Sequence, residues 1–163
     1  MKLRLLSIIA VVFLLSQFSV QADDAAEDRA AADQAKEVKL LQGSWQLESL
    51  EFDGKKTVAD EIMKLIRWEF KDDALTTIKP NQDGTVIKEP ANFKLDVSKS
   101  PKYIDLIPLD GPAKGETNKC VYSLEKDVLT LAIPRDKGGD RPTKLTTDKQ
   151  DGGCQIVVWR RVK

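Results

Sequence analysis

The side chains that carry most enzyme chemistry are scarce in this sequence. The chain has 163 residues and no histidine. That removes Ser-His-Asp and Cys-His catalysis, and every histidine-containing zinc or copper site. Two cysteines, Cys120 and Cys154, are too few for an all-cysteine zinc site or a four-cysteine iron–sulfur cluster. Carboxylates remain. Glu69 lies between Trp68 and Phe70, and Asp105 between Ile104 and Leu106. Pointing inward, either would be a polar contact for a ligand; the outer, solvated face is the commoner place for such a residue. No second acid is marked out for a glycosidase pair. Asp72-Asp73 with Asp83 offer oxygen ligands of the kind calcium takes. They lack EF-hand spacing and read as turn residues. Gly138-Gly139-Asp140 lacks the strand–loop–helix setting of a phosphate cradle and reads as a hairpin loop. No catalytic residue, metal ligand or cofactor is expected.

The other chemistry on offer is apolar. Trp45, Trp68, Phe70, Phe93, Tyr103 and Tyr122 are the aromatics expected to meet an interior. There they either fill a core or line a ligand cavity. Short strands must position them. From Gly43 onward, runs rich in Val, Ile, Leu, Thr and aromatics alternate with turn clusters. The pattern predicts strands near 44–52, 66–71, 74–79, 84–88, 91–97, 102–107, 117–124, 128–133, 143–147 and 154–161. Asp53-Gly54, Asp83-Gly84, Asp110-Gly111 and Asp151-Gly152 supply turn residues between them. Asp60 is placed to cap one or two turns of helix over 61–66. No crossover of βαβ length follows, so the strands form an antiparallel meander. Long meanders close into barrels, which removes exposed edges.

Ahead of the strands the composition changes. Lys2 and Arg4 precede an apolar run, Leu5 to Leu15, and then Val20-Gln21-Ala22. This is the pattern of a signal peptide over 1–22, cleaved after Ala22. The apolar run is shorter than the ~20 residues of a spanning helix, so no stable membrane insertion is expected after cleavage. Residues 23–40 are an alanine-rich helical leader. Residues 41–163 are the barrel domain. The 26 basic and 26 acidic side chains balance, which argues against a nucleic-acid partner. An even cysteine count in an oxidising compartment favours a Cys120–Cys154 disulfide, worth ~3–4 kcal/mol on the chain-entropy model. Two buried free thiols are the alternative.

Leu41-Gln42-Gly43-Ser44-Trp45 opens the first strand with a Gly-x-Trp, and the last strand ends Val158-Trp159-Arg160-Arg161. With Phe52-Asp-Gly-Lys55, the stretch Phe93 to Leu106, Tyr122 to Leu131, and Arg141-Pro-Thr143, the chain resembles one family. It is the uncharacterised lipocalin-like domain abundant in planctomycete bacteria and usually exported. The resemblance spans about Leu40 to Arg161. It implies an antiparallel lipocalin-like barrel of about 8–10 strands, closed by Gly43 and Trp45 with Arg160 and Arg161. A guanidinium over an indole face would contribute ~0.5–2 kcal/mol at the barrel end. The resemblance implies no activity, and fold alone does not supply one.

The expected protein is therefore exported to the periplasm or beyond, monomeric and not an enzyme. Its barrel takes a small apolar or amphipathic molecule, lined by the six aromatics above. The alternative is a filled barrel acting as an inhibitor-like, structural or interaction module toward an envelope protein.

Overall fold

The computed structural model describes residues 26–81, 83–136, 138–147 and 153–163. The expected signal peptide and its cleavage point lie outside these residues. The leader is helical over residues 26–41, here α1. Nine strands follow among the described residues: β1 (Gly43–Phe52), β2 (Lys55–Val58), β3 (Arg67–Lys71), β4 (Ala74–Pro80), β5 (Val86–Asp96), β6 (Lys102–Pro108), β7 (Asn118–Glu125), β8 (Val128–Pro134) and β9 (Cys154–Arg161). All pairings are antiparallel, and β1 also pairs with β9. Eight strands, β1 and β3 to β9, thus close a barrel, and β2 is a flap on the far half of β1.

Four expectations are corrected. The runs 84–88 and 91–97 are one strand, β5, that passes through Pro90. The Pro90 carbonyl accepts from Leu109 N at 2.9 Å. Its nitrogen faces the same side, beyond the end of β6, so the missing N–H leaves no ladder partner unpaired. Residues 143–147 are not a strand; side-chain contacts hold them, as described below. The short β2 was not expected; Asp53 and Gly54, both with positive φ of 48° and 75°, turn the chain back into it. The helix expected over 61–66 is a 3-10 turn, Met63–Leu65. Asp60 Oδ1 does accept from the N–H groups of Ile62 and Met63, at 3.0 and 2.8 Å.

Alternation along each strand builds two cores. The interior cluster holds Trp45, Leu47, Trp68, Phe70, Leu75, Phe93, Leu95, Ile104, Leu106, Cys120, Tyr122, Leu129, Leu131, Val157 and Trp159. A second cluster, Val121, Ala132, Cys154 and Ile156, lies on the opposite face of β7, β8 and β9. A bulge at Glu48 interrupts the β1–β9 register between Leu47↔Trp159 and Ser49↔Val158. It shifts the alternation so that Leu50, after Trp45 and Leu47, still packs on the interior.

One end of the barrel is plugged by the last turn of α1. Glu37 is buried there. Its carboxylate accepts from Lys102 Nζ at 2.7 Å and from the Tyr122 hydroxyl at 3.3 Å. Leu41 is fully buried, and its carbonyl accepts from Trp45 Nε1 at 2.8 Å. Gly43 carries the chain from helix to strand at φ +105°. A β-carbon there would stand 3.5 Å from Arg161 Nη1, an ordinary contact, so the cost lies in the backbone. Gly43→Ala should therefore destabilise the fold by about 1–3 kcal/mol, read as a lower urea midpoint at unchanged m-value.

Candidate functional site

The opposite end, the mouth, is bounded by the β4–β5 turn, the β6–β7 loop and the Met63–Leu65 turn. A cavity of about 250 Å³ lies there under residues 108–113. Its floor and walls are Trp68 of β3, Leu75 of β4 and Leu106 of β6, with Pro90 and Pro108. These residues reach it because β3, β4, β5 and β6 are sequential neighbours whose inward rows converge on it. Polar groups join them: Thr77 on β4, Glu89 on β5, Asn118 on β7, and Asp110 in the loop. Glu89 is itself held by Lys79 Nζ at 2.6 Å.

Below the cavity, aromatic rings pack the interior. Trp68 stacks on Trp159 with centroids 4.3 Å apart and planes at 23°. Phe70 packs edge-on against Trp68 at 6.0 Å and against Phe93 at 5.2 Å. Of the six aromatics expected to line a ligand cavity, Trp68 borders it directly. Phe70 and Phe93 pack in the interior beneath it. Trp45 and Tyr122 lie at the plugged end. Tyr103 is corrected: it faces the second cluster, outside the barrel, with the Arg141 guanidinium 4.2 Å above its ring. Asp105, two residues on, shares that outer face and binds Arg141 at 2.6 Å. Glu69 is exposed.

The two arginines expected at the barrel closure part company. Arg161 is the direct cross-strand partner of Trp45. Its guanidinium lies 4.2 Å from the indole centroid. It donates to the carbonyl of Gln42 at 2.6 Å and to that of Leu40. Arg160 turns outward, as alternation requires, and binds both Glu48 carboxylate oxygens at 2.6 and 3.1 Å.

The expected disulfide is also corrected. Neither cysteine is in a disulfide, and both are buried. Cys120 belongs to the interior cluster and Cys154 to the outer one. The strand β8 runs between theirs, so the two thiols sit on opposite faces of the sheet and two strands apart, beyond disulfide reach. Burial pushes the Cys120 thiol up to about 12, against a smaller opposing pull from Arg141.

Several residues of the site gave no signal of their own in the sequence. Glu89, Thr77 and Asn118 are inward-facing polar residues near strand ends. The inward row of β5 continues from Leu95, Phe93 and Ala91 to Glu89 once the strand is carried through Pro90. Glu37 shares a helix face with Val38 and Leu41, the spacing that marks a docked turn. At Tyr122, burial comes first, then the charge of Glu37 and the hydrogen bond donated to it. Together they hold the phenol protonated well above the ordinary tyrosine range. A raised folded-state value means stability present below pH ~10 and lost as the pH rises beyond it. Alkaline difference absorbance should show Tyr122 ionising only as the fold is lost.

No family model and no curated protein matches the chain. Among solved structures, it is similar to a lipocalin-like protein from Bacteroides uniformis ATCC 8492, at 15% identity and a TM-score of 0.49, covering 76% of this chain and 99% of that one. It is also similar to an uncharacterized protein from Bacteroides eggerthii DSM 20697, at 14% identity and a TM-score of 0.45, covering 74% and 98%.

Proposed function

We propose that the chain is an exported monomer that holds one small, mainly apolar molecule at the mouth of its barrel and does not transform it. The cavity beside Trp68 carries this reading. At about 250 Å³ it falls just below the ~300–1,000 Å³ of common ligand pockets, so its occupant is smaller than a drug-sized molecule. Its walls are mainly apolar, and its polar groups are a hydroxyl, an amide and two carboxylates, one engaged by Lys79. That inventory suits orienting a bound molecule rather than attacking it. Export is supported by the basic, apolar and small-residue order of the first 22 residues. No described helix is long and apolar enough to cross a membrane. Membership of the exported lipocalin-like family that the sequence resembles is part of the same reading.

The test is a panel of small apolar and amphipathic molecules added to the purified chain. Near-ultraviolet circular dichroism and the melting midpoint are followed together. Ligands that fit should raise the midpoint and change the indole signal. A panel that moves neither would overturn the reading.

One observation favours a second reading, an interaction module for an envelope protein. Val58, Ile62, Leu65 and Val86 stand 53 to 69% exposed around the mouth end, and exposed apolar patches mark contact surfaces. Capture of an envelope protein by the chain, lost in Ile62→Ser with Leu65→Ser, would support it. Capture unaffected by those changes would not.

A further inference from the structure

Trp159 is 3% exposed, and its indole Nε1 finds no acceptor among the described residues. Other polar groups of the interior are matched. Trp45 Nε1 donates to Leu41 at 2.8 Å, and the Tyr122 hydroxyl donates to Glu37 at 3.3 Å. Buried donors are rarely left unpaired, and one without a partner in the chain takes one from outside it, a water or a ligand group. Trp159 does not itself line the cavity; it stacks at 4.3 Å on Trp68, and Trp68 borders the cavity.

Resting on the reading of the mouth as a ligand site, we propose that this site continues past the edge of Trp68 to Trp159. Its ligand carries a neutral hydrogen-bond acceptor at the inner end, a carbonyl or ether oxygen, received by the Trp159 indole N–H. Neutrality follows from the surroundings. Trp159 is enclosed by the apolar interior cluster. The charged inward groups lie at the two ends, Lys79 and Glu89 at the mouth, and Glu37 with Lys102 at the plug. A carboxylate at mid-barrel would be buried without a counterion. The apolar body of the ligand then lies against Trp68, Leu75 and Leu106. The cavity's size limits that body to about eight water volumes.

Two probes separate the acceptor from mere fit: acetophenone, and α-methylstyrene, which replaces the carbonyl oxygen by a methylene. They are titrated into the full chain carrying 15N-labelled tryptophan. The Trp159 indole resonance is the one missing in Trp159→Phe. Acetophenone should move it downfield and α-methylstyrene should not. Trp159→Phe should weaken acetophenone roughly five- to tenfold and leave α-methylstyrene unchanged, as loss of one hydrogen bond requires. If Trp159→Phe does not fold, Trp45→Phe and Trp68→Phe assign the resonance by elimination, and its shift in the parent chain decides. Equal affinity for the two probes with an unmoved Trp159 resonance overturns the acceptor and leaves the mouth site standing. Failure of both probes to disturb any indole overturns both.

Discussion

Arg161→Ala should destabilise the protein by about 3 kcal/mol, while Arg160→Ala beside it should be nearly silent. Arg161 joins three elements at the plugged end. Its guanidinium covers the Trp45 indole at 4.2 Å, a contact worth ~0.5–2 kcal/mol. It donates to the carbonyls of Leu40 and Gln42 at the end of α1. Those are carbonyls that a helix leaves without internal partners, and the helix dipole favours a cation there. Charge-assisted hydrogen bonds contribute ~1.5–3 kcal/mol each when well buried. The side chain is a quarter exposed, and water can reach Leu40 after truncation, which limits the sum. Asp127 Oδ1 stands 3.4 Å from Arg161 Nε, too far to add much.

The expected fall in melting midpoint is about 10 °C for a chain of this size. Arg160 makes the better-looking ion pair, bidentate to Glu48. That pair is solvated on the barrel's outer face, where ion pairs contribute little, so its loss should move the midpoint by no more than about 2 °C. Arg161→Lys should recover only part of the loss, because a point charge cannot serve two carbonyls and a ring face together. Equal midpoints for the two alanine variants would show that the plug does not depend on Arg161.

How much of this was legible beforehand follows from which interactions are local. Strand alternation is local, so the inward rows of β6, β7 and β8 can be read directly, whereas the core-like row Cys154, Ile156 and Val158 of β9 faces outward. The Gly-x-Trp and the terminal arginines could be paired because closure makes first and last strands neighbours. Two features rest on information that spacing does not hold. Pro90 looked like a strand end because its own chemistry disfavours a ladder; whether a partner is present on its N–H side depends on where β6 stops. Taking Pro90 as a strand end also hides Glu89, and with it part of the polar side of the cavity. The cysteines each sit beside core-like neighbours, which correctly signals burial. A sheet with a second cluster on its outer face has two buried sides, however, and alternation within one strand does not say which is which. Cys120 and Cys154 fall on different sides for that reason. Tyr103 shows the same ambiguity: it lies on the outer side, under Arg141. The stretch 143–147 looks like a strand by composition. Its contacts are made instead by side chains, with Leu145 packing on the outer cluster and the Thr147 hydroxyl donating to Glu51 and accepting from Gly54 N.

That outer layer gives the second large effect: Arg141→Ala should expose Cys154 while leaving Cys120 protected. Arg141 fastens the segment between β8 and β9 to the barrel. It binds Asp105 at 2.6 Å, donates to the Cys120 carbonyl at 2.6 Å, and covers Tyr103 at 4.2 Å. Farther along the segment, the Cys154 thiol contacts the Thr146 carbonyl at 3.0 Å. Truncation removes a partly buried ion pair and its hydrogen bonds, about 2–3 kcal/mol together. The loss should appear first as local opening of this segment, since the barrel ladder does not run through it. In the parent chain, a thiol reagent should find neither cysteine until the protein is unfolded, and both afterwards. In Arg141→Ala, opening made easier by ~2 kcal/mol should speed labelling of Cys154 about thirtyfold. Cys120 points into the interior and stays closed unless the barrel opens. Peptide mapping after brief labelling distinguishes the two sites. Acceleration of both by one common factor would mean that Arg141 stabilises the whole fold rather than the segment. No acceleration of either would mean that Leu145 and Thr147 hold the segment without it.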